Sequence, residues 1–409
     1  MAAPAGWSLM RLSLPGTPHL TYCTNIHAGE AWEEIYAALR RNLPAVKQQV
    51  SPDAPMGVGL RLSAAAVDDL ADPERVRELK AFLDAGGFYV FTVNAFPYGT
   101  FHATRVKEQV YEPDWRTQER LRFTDAAAYI LSVLLPDGMA GSISTVPGGF
   151  KPAIATEPDI AAIVDNLIAC AAQLYALSEA SGKHISLALE PEPHCFLETT
   201  DEAIAFFNGR VFAPDAVKAF ARGANIDDPA VAEQRLRQHL GVCFDVCHAA
   251  VEFEDPVASM ARLSEAGIAV PKIQLSAALR VPAPDAEAAR LLLAFDDGVY
   301  LHQTVAQRDG ELTRYLDLPE AIAALDGGAQ ATEWRVHCHV PLFWQAPGVL
   351  QSTHAPLIDL LAACRQSALA PHLEVETYTW DVLPADLRAS DISNDIAREL
   401  QWVRSQLGA

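Results

Sequence analysis

Positive charge is scarce in this chain. Lys and Arg number 31 against 52 Asp and Glu, for a formal net charge of −21. Affinity for nucleic acid rests on clustered Lys and Arg, as does attraction to anionic lipid headgroups, so neither partner is expected. Cysteine is thin too. The seven (Cys23, Cys170, Cys195, Cys243, Cys247, Cys338, Cys364) are an odd number with no CxxC pair. No disulfide framework is expected, and reduced thiols point to a cytoplasmic protein. No stretch of about 20 apolar residues suggests a bilayer span, and the first residues hold no apolar segment of signal-peptide length. There is no GxGxxG after a first strand, no P-loop, and no GxSxG in a strand–turn–helix context. No Gly/Ser-rich linker or short-period repeat divides the chain, so one domain over 1–409 is expected.

What is present is apolar bulk with carboxylates and imidazoles at its edges. Hydrophobic residues make up 50% of the chain and charged residues 20%. The stretch 185–194, ISLALEPEPH, organises the rest. A short apolar run bounded by turn residues reads as a buried strand. Pro191 and Pro193 cannot continue a central ladder, so Glu190 sits at the strand's C-terminal tip. GVCFDVCH (241–248), PKIQLS (271–276), RVHCHVP (335–341) and HLEVETYTW (372–380) repeat the pattern, ending apolar runs in Asp, Gln, His or Glu.

Earlier strands are predicted over 20–27, 56–63, 88–96 and 141–149. Helices are predicted over 32–50 (with a kink or break at Pro44), 73–85, 115–135 and 159–181. A broken helical region covers 201–240, and further helices cover 256–266, 354–366 and 391–407. Strand–helix alternation predicts a parallel sheet, and about eight such units predict an α/β fold closed as a (β/α)8 TIM barrel. The rhythm fails over 281–333, after the seventh strand. That reads as an insertion holding a helix and a hairpin turning at 308–310.

In such a barrel the C-terminal strand tips form the mouth where sites are built. Alternation puts Ala188 with Glu190, Cys243 with Asp245, and Glu374 with Glu376 on shared faces. Carboxylate and amide oxygens suit hard cations, and imidazole suits Zn, Mn or Fe. Glu190, Asp245 and Glu376 are therefore candidate ligands for a divalent metal ion (Mn, Zn, Mg or Fe), and Gln274 reads as a further ligand or as a structural hydrogen-bonder. His248 reads equally as a ligand, a ligand's partner or part of the pocket rim. His337 and His339 place two imidazoles on one strand face. His302 reads as a rim or substrate residue within the insertion. Asn25, His27, Arg61, Asn94 and His102, from the first three strand units, are candidates for the other half of the pocket. Tyr98, Phe101, Trp344 and Trp380 are candidates for its apolar wall.

Taken together, LALEPEP, CFDVCH, IQLSA, VHCHVP and LEVETYTW resemble the xylose isomerase-like TIM barrels. That superfamily holds sugar isomerases, ketose epimerases, inosose dehydratases and zinc-dependent AP endonucleases. The shared pattern is Glu, then Asp followed three residues later by His, then His, then a final Glu. Glu190, Asp245, His248 and Glu376 match it. Gln274 stands where His is usual, and His337/His339 resembles an Asp-x-His segment of the endonuclease branch. TYCTNIHAGE, GLRLSAAA, VNAFPYGTFH and VHCHVPLF, over nearly the whole chain, are similar to the EboE metabolite-traffic proteins. These are implicated in moving secondary metabolites out of the cytoplasm.

The resemblance implies a sugar or polyol isomerase or epimerase working through an enediolate, with a small sugar-like or secondary-metabolite substrate and a possible homodimer. Glu190 and Glu376 would move the proton. His248, His339 and Arg280 would bind hydroxyls or the developing oxyanion, with His337 also at the substrate. The alternative is a metabolite-binding accessory protein using the same pocket without turnover.

Overall fold

The computed structural model describes residues 10–99, 107–296, 298–345, 348–380, 383 and 391–408. Seven parallel strands follow one another along the chain. They are β1 (His19–Tyr22), β2 (Met56–Arg61), β3 (Phe88–Asn94), β4 (Gly141–Thr145), β5 (Ile185–Leu189), β6 (Leu240–Asp245) and β7 (Ala269–Leu275). The next four belong elsewhere: β8 (Leu279–Pro282), β9 (Thr304–Arg308), β10 (Glu311–Tyr315) and β11 (Glu333–Val336). After β12 (Gln351–Ser352), β13 (His372–Val375) returns and pairs with both β7 and β1. The eight-stranded order is β1-β13-β7-β6-β5-β4-β3-β2.

The ring is closed at β1 and β2 in an unusual way. One backbone bridge joins Cys23 and Gly59. The remaining bonds across this seam come from side chains. The Thr21 hydroxyl donates to Gly57 O at 2.9 Å and accepts from Gly59 N at 2.9 Å, and Thr24 Oγ1 accepts from Arg61 N at 2.8 Å. The chain is thus a (β/α)8 barrel.

The strands are buried on both faces, as a helix-wrapped parallel sheet requires, and the helices around them stop where the sequence supplies stops. Gly87 and Gly182 take left-handed C-cap conformations, at φ 66° and 71°, which glycine adopts without a Cβ penalty. Helix Trp32–Val50 runs through Pro44 without a break. Helix Glu157–Ser181 is long and apolar enough to cross a membrane by length and composition. Here it packs against helices Gln118–Leu134 and Pro214–Ala224 and buries Ile163, Leu167 and Leu174.

The departure after β7 is larger than the 281–333 segment. A second, antiparallel sheet with order β10-β9-β11-β8-β12 runs from Leu279 to Ser352. RVHCHVP is therefore not a barrel strand. Its first residues end β11, which pairs with β8 and β9, and His337–His339 follows as irregular chain. The hairpin at 308–310 forms as β9 and β10, with Asp309 and Gly310 at positive φ.

Candidate metal and substrate site

Glu190 and Glu376 lie one residue past the ends of β5 and β13, and Asp245 ends β6. Ladder bonds continue past two of these strand ends and fix the tips. Glu190 N donates to Thr145 O at 3.0 Å, and Glu376 N donates to Leu275 O at 3.1 Å. Asp245 also caps the helix Val246–Val251, accepting from His248 N at 2.9 Å and from the Ser276 hydroxyl at 2.8 Å. Carboxylate oxygens of Glu190, Asp245 and Glu376 lie within 4.8 Å of one another, all buried.

Three buried acids at this spacing cannot all carry charge without a cation. Burial, and then the repulsion of Glu376 and Asp245, pushes Glu190 well above the usual carboxylate range. Burial and Asp245 do the same to Glu376, although Asn25 and Asn94 both donate to its Oε1, at 2.8 and 3.1 Å. Burial also opposes charge on Asp245, but the neighbouring His248 and His339 and its hydrogen bonds outweigh that and lower its pKa. Oε2 of Glu190 has no hydrogen-bond partner among the described residues. This donor set fits a divalent ion.

Gln274 lies between Asp245 and Glu374 in register on β7. Its Oε1 accepts from the Cys243 thiol at 3.1 Å. One layer below, Lys272 Nζ lies 2.5 Å from Glu374 Oε2 and 3.1 Å from the Ser144 hydroxyl, with both charged side chains fully buried.

A cavity opens above the carboxylates. Asn25, Asn94, Glu190, His248, His337, His339 and Glu376 line it, with Tyr111, Tyr300 and Tyr378 as aromatic walls. Of the expected wall residues, none of Tyr98, Trp344 and Trp380 lines it. His248 and His337 are buried as neutral rings. Burial holds His248 at about 4 and His337 well below its ordinary value.

Other candidates are not among the residues that line the cavity. Arg61 is buried on β2 and pairs with Glu30 at 2.7 Å while donating to Gly29 O. His27 Nε2 lies 3.0 Å from the Tyr22 hydroxyl. Arg280 sits in β8, where its guanidinium binds Glu333 and Gln351. That corrects its expected place at the pocket, since strand β8 carries it into the second sheet. His302 is buried just before β9, with its backbone N–H on Asp317. His102 and Phe101 lie outside the described residues.

Several site residues escaped the sequence reading. Glu192 accepts from Tyr111 Oη at 2.7 Å and from Gln303 Nε2 at 3.0 Å, and burial raises its pKa to about 7. Its position two residues after Glu190 was the available signal. Tyr111 comes from a loop and Gln303 from the approach to β9, where no periodicity marks them.

No family model matches the chain, and no curated protein matches it. Among solved structures, it is similar to a protein from Anabaena variabilis assigned to the sugar phosphate isomerase/epimerases, at 12% identity over 96% of this chain and 99% of that one, with a TM-score of 0.48. It is also similar to the IolI protein with a bound zinc atom, at 12% identity over 95% and 98% of the two chains and a TM-score of 0.45. A third is a xylose isomerase domain protein from Alicyclobacillus acidocaldarius, at 11% identity over 95% and 98%, with a TM-score of 0.43.

Proposed function

We propose that this protein is a metal-dependent isomerase or epimerase of a small sugar- or polyol-like substrate. The observation that carries this is the convergence of Glu190, Asp245 and Glu376, with carboxylate oxygens within 4.8 Å of one another, beside an aromatic-walled cavity that Glu190 and Glu376 line. A divalent ion held by these three, with Gln274 beside them, would supply Lewis acidity to a substrate carbonyl. The chain's own groups supply the rest. Glu190 and Glu376 approach from strands on different sides of the barrel, and their raised pKa values bring them toward working pH. One accepts the proton from the carbon next to the carbonyl, and the other returns one. Asn25 and Asn94 both donate to Oε1 of Glu376 and fix the orientation of its carboxyl group. Tyr111, Tyr300 and Tyr378 offer faces for the sugar's C–H surface.

The test has two stages. Elemental analysis of wild type beside Glu376→Gln reads out the ion, expected in the first and reduced in the second. Aldoses and ketoses are then incubated with the loaded protein in D2O. Deuterium incorporation next to the carbonyl, lowered at least 100-fold in Glu190→Gln, is the expected result. A wild type that takes up no ion, or one that exchanges no proton of any sugar tested, overturns the proposal.

A second reading draws on the Gln274–Cys243 contact, which engages an amide oxygen at the expected fourth ligand. In that reading the same pocket holds a metabolite for transfer, in keeping with the resemblance to the traffic proteins. Saturable ligand binding without deuterium exchange would favour it.

A further inference from the structure

Hydrogen-bond donors on the cavity wall are largely committed within the protein, and acceptors are not. Lys107 is the one lysine or arginine among the described lining residues, and its Nζ lies 2.5 Å from Asp317 Oδ2. Asp317 is fixed in turn, accepting from His302 N at 2.9 Å and Leu318 N at 3.0 Å. Asn25 and Asn94 donate to Glu376. His248, His337 and His339 each direct Nδ1 at a carbonyl oxygen, of Pro191, Gln303 and Glu376 respectively. A carbonyl oxygen only accepts, so in the neutral rings Nε2 is left as an acceptor.

Glu192 is the acceptor that stands apart. It lines the cavity at 6% exposure, outside the trio of Glu190, Asp245 and Glu376. Its two donors, Tyr111 Oη and Gln303 Nε2, are neutral groups, and both meet Oε1. No described residue donates to Oε2. A buried carboxylate without a cation beside it carries a large desolvation cost. A divalent ion on the trio would be balanced by the trio's own charges.

These features select the charge of a ligand. A phosphorylated sugar would face Glu192 with no uncommitted lysine or arginine to hold it, and such a mismatch rejects a ligand. An ammonium group meets each condition. It offers three donors and no acceptor, and tyrosine faces such as those of Tyr111, Tyr300 and Tyr378 attract it. The chain's net charge of −21 favours the approach of a cation. We infer that the substrate is an amine-bearing sugar or polyol whose ammonium group donates to Oε2 of Glu192. The inference rests on the proposed function in taking this cavity as the substrate's, and adds the substrate's charge.

Calorimetric titration of the full chain in the presence of Mn²⁺ tests it with probes that differ in charge. Glucosamine and fructosamine are each compared with the N-acetyl derivative, the neutral parent hexose and the hexose phosphate. At least one amine is expected to bind tighter than its N-acetyl derivative and its parent by about tenfold or more, and the phosphates not to bind. In Glu192→Gln that ratio should fall to about one, with circular dichroism checking the fold. If Glu192→Gln does not fold, the wild-type ratio decides alone. A preference kept in folded Glu192→Gln, or no binding by either amine, overturns the inference. Deuterium exchange in the same samples separates it from the reading it rests on. An amine preference without exchange upholds the ammonium subsite and counts against the isomerase. Exchange of the neutral hexoses with no amine preference overturns the subsite and spares the isomerase.

Discussion

Lys272 Nζ rests 2.5 Å from Glu374 Oε2 at the centre of the barrel, with both side chains cut off from solvent. Burial disfavours the charge on Lys272, but Glu374 outweighs it and raises the lysine pKa. The pair forms a charged layer under the carboxylates of the mouth. Removing one member of such a pair leaves an uncompensated buried charge, whereas replacing both with apolar groups is often neutral. Lys272→Met is therefore expected to destabilise the protein by about 3–5 kcal/mol, and Lys272→Met with Glu374→Leu to recover most of that loss. Urea unfolding in the presence of chelator measures both. Equal losses in the single and double variants would show that the pair is not the unit.

Stabilisation by a divalent ion should depend on pH, because the ion competes with protons for Glu190 and Glu376. Their raised pKa values mean that they hold protons above the ordinary carboxylate range. Added Mn²⁺ or Zn²⁺ is expected to raise the thermal midpoint clearly at pH 8 and little at pH 5. A midpoint shift of the same size at both pH values would contradict this account.

Glu399 gives a second titration, of a group that is not itself a proposed ligand. It accepts from Leu342 N and Thr377 Oγ1, yet burial raises its pKa to about 7. A carboxyl whose folded pKa is raised contributes stability below its unfolded value and loses it as pH rises. Relative to Glu399→Gln, wild type should therefore lose up to about 3 kcal/mol between pH 4.5 and 7, with no further change above. The difference in unfolding free energy across that range is the measurement, and a flat difference is the failing result.

A glycine on β2 makes room for the charged layer. A Cβ on Gly59 would lie 2.0 Å from Glu374 Oε1 and 2.7 Å from Tyr22 O. Gly59→Ala should therefore cost several kcal/mol, as overpacking of a rigid interior does. Gly209→Ala, where a Cβ meets nothing within 4 Å, should change stability by no more than about 0.5 kcal/mol. Unfolding midpoints of the two variants compare them directly.

The barrel was legible because its signal is local: apolar runs of strand length, several of them closed by proline or a helix cap. The positions of Glu190, Asp245 and Glu376 at strand tips follow from the same runs. Lys272 could have been read too, since it shares a face with Gln274 by simple alternation, but a lysine in an apolar run invites a surface assignment. His337 and His339 misled in context. RVHCHVP has the composition of a barrel strand, and only its antiparallel partners in β8 and β9 place it in another sheet. Arg280 was assigned to the pocket because β7 ends nearby, and the turn into β8 carries it to Glu333 instead. Tyr111 and Gln303 owe their places to tertiary packing of irregular segments, which no periodicity encodes.

The threonine seam between β1 and β2 makes the barrel a ring with a clasp. Seven junctions are ladders of amide rungs, and the eighth depends largely on two rotatable hydroxyls. Thermal breathing of the ring is thereby directed to one gap, so the amide protons of Gly59 and Arg61 should exchange with solvent sooner than those inside β5. Asn25 stands just beyond that clasp and holds Glu376. Where the hoop first slackens, the grip on the final carboxylate slackens with it, and the barrel's mechanical weak point doubles as an adjustment on its chemistry.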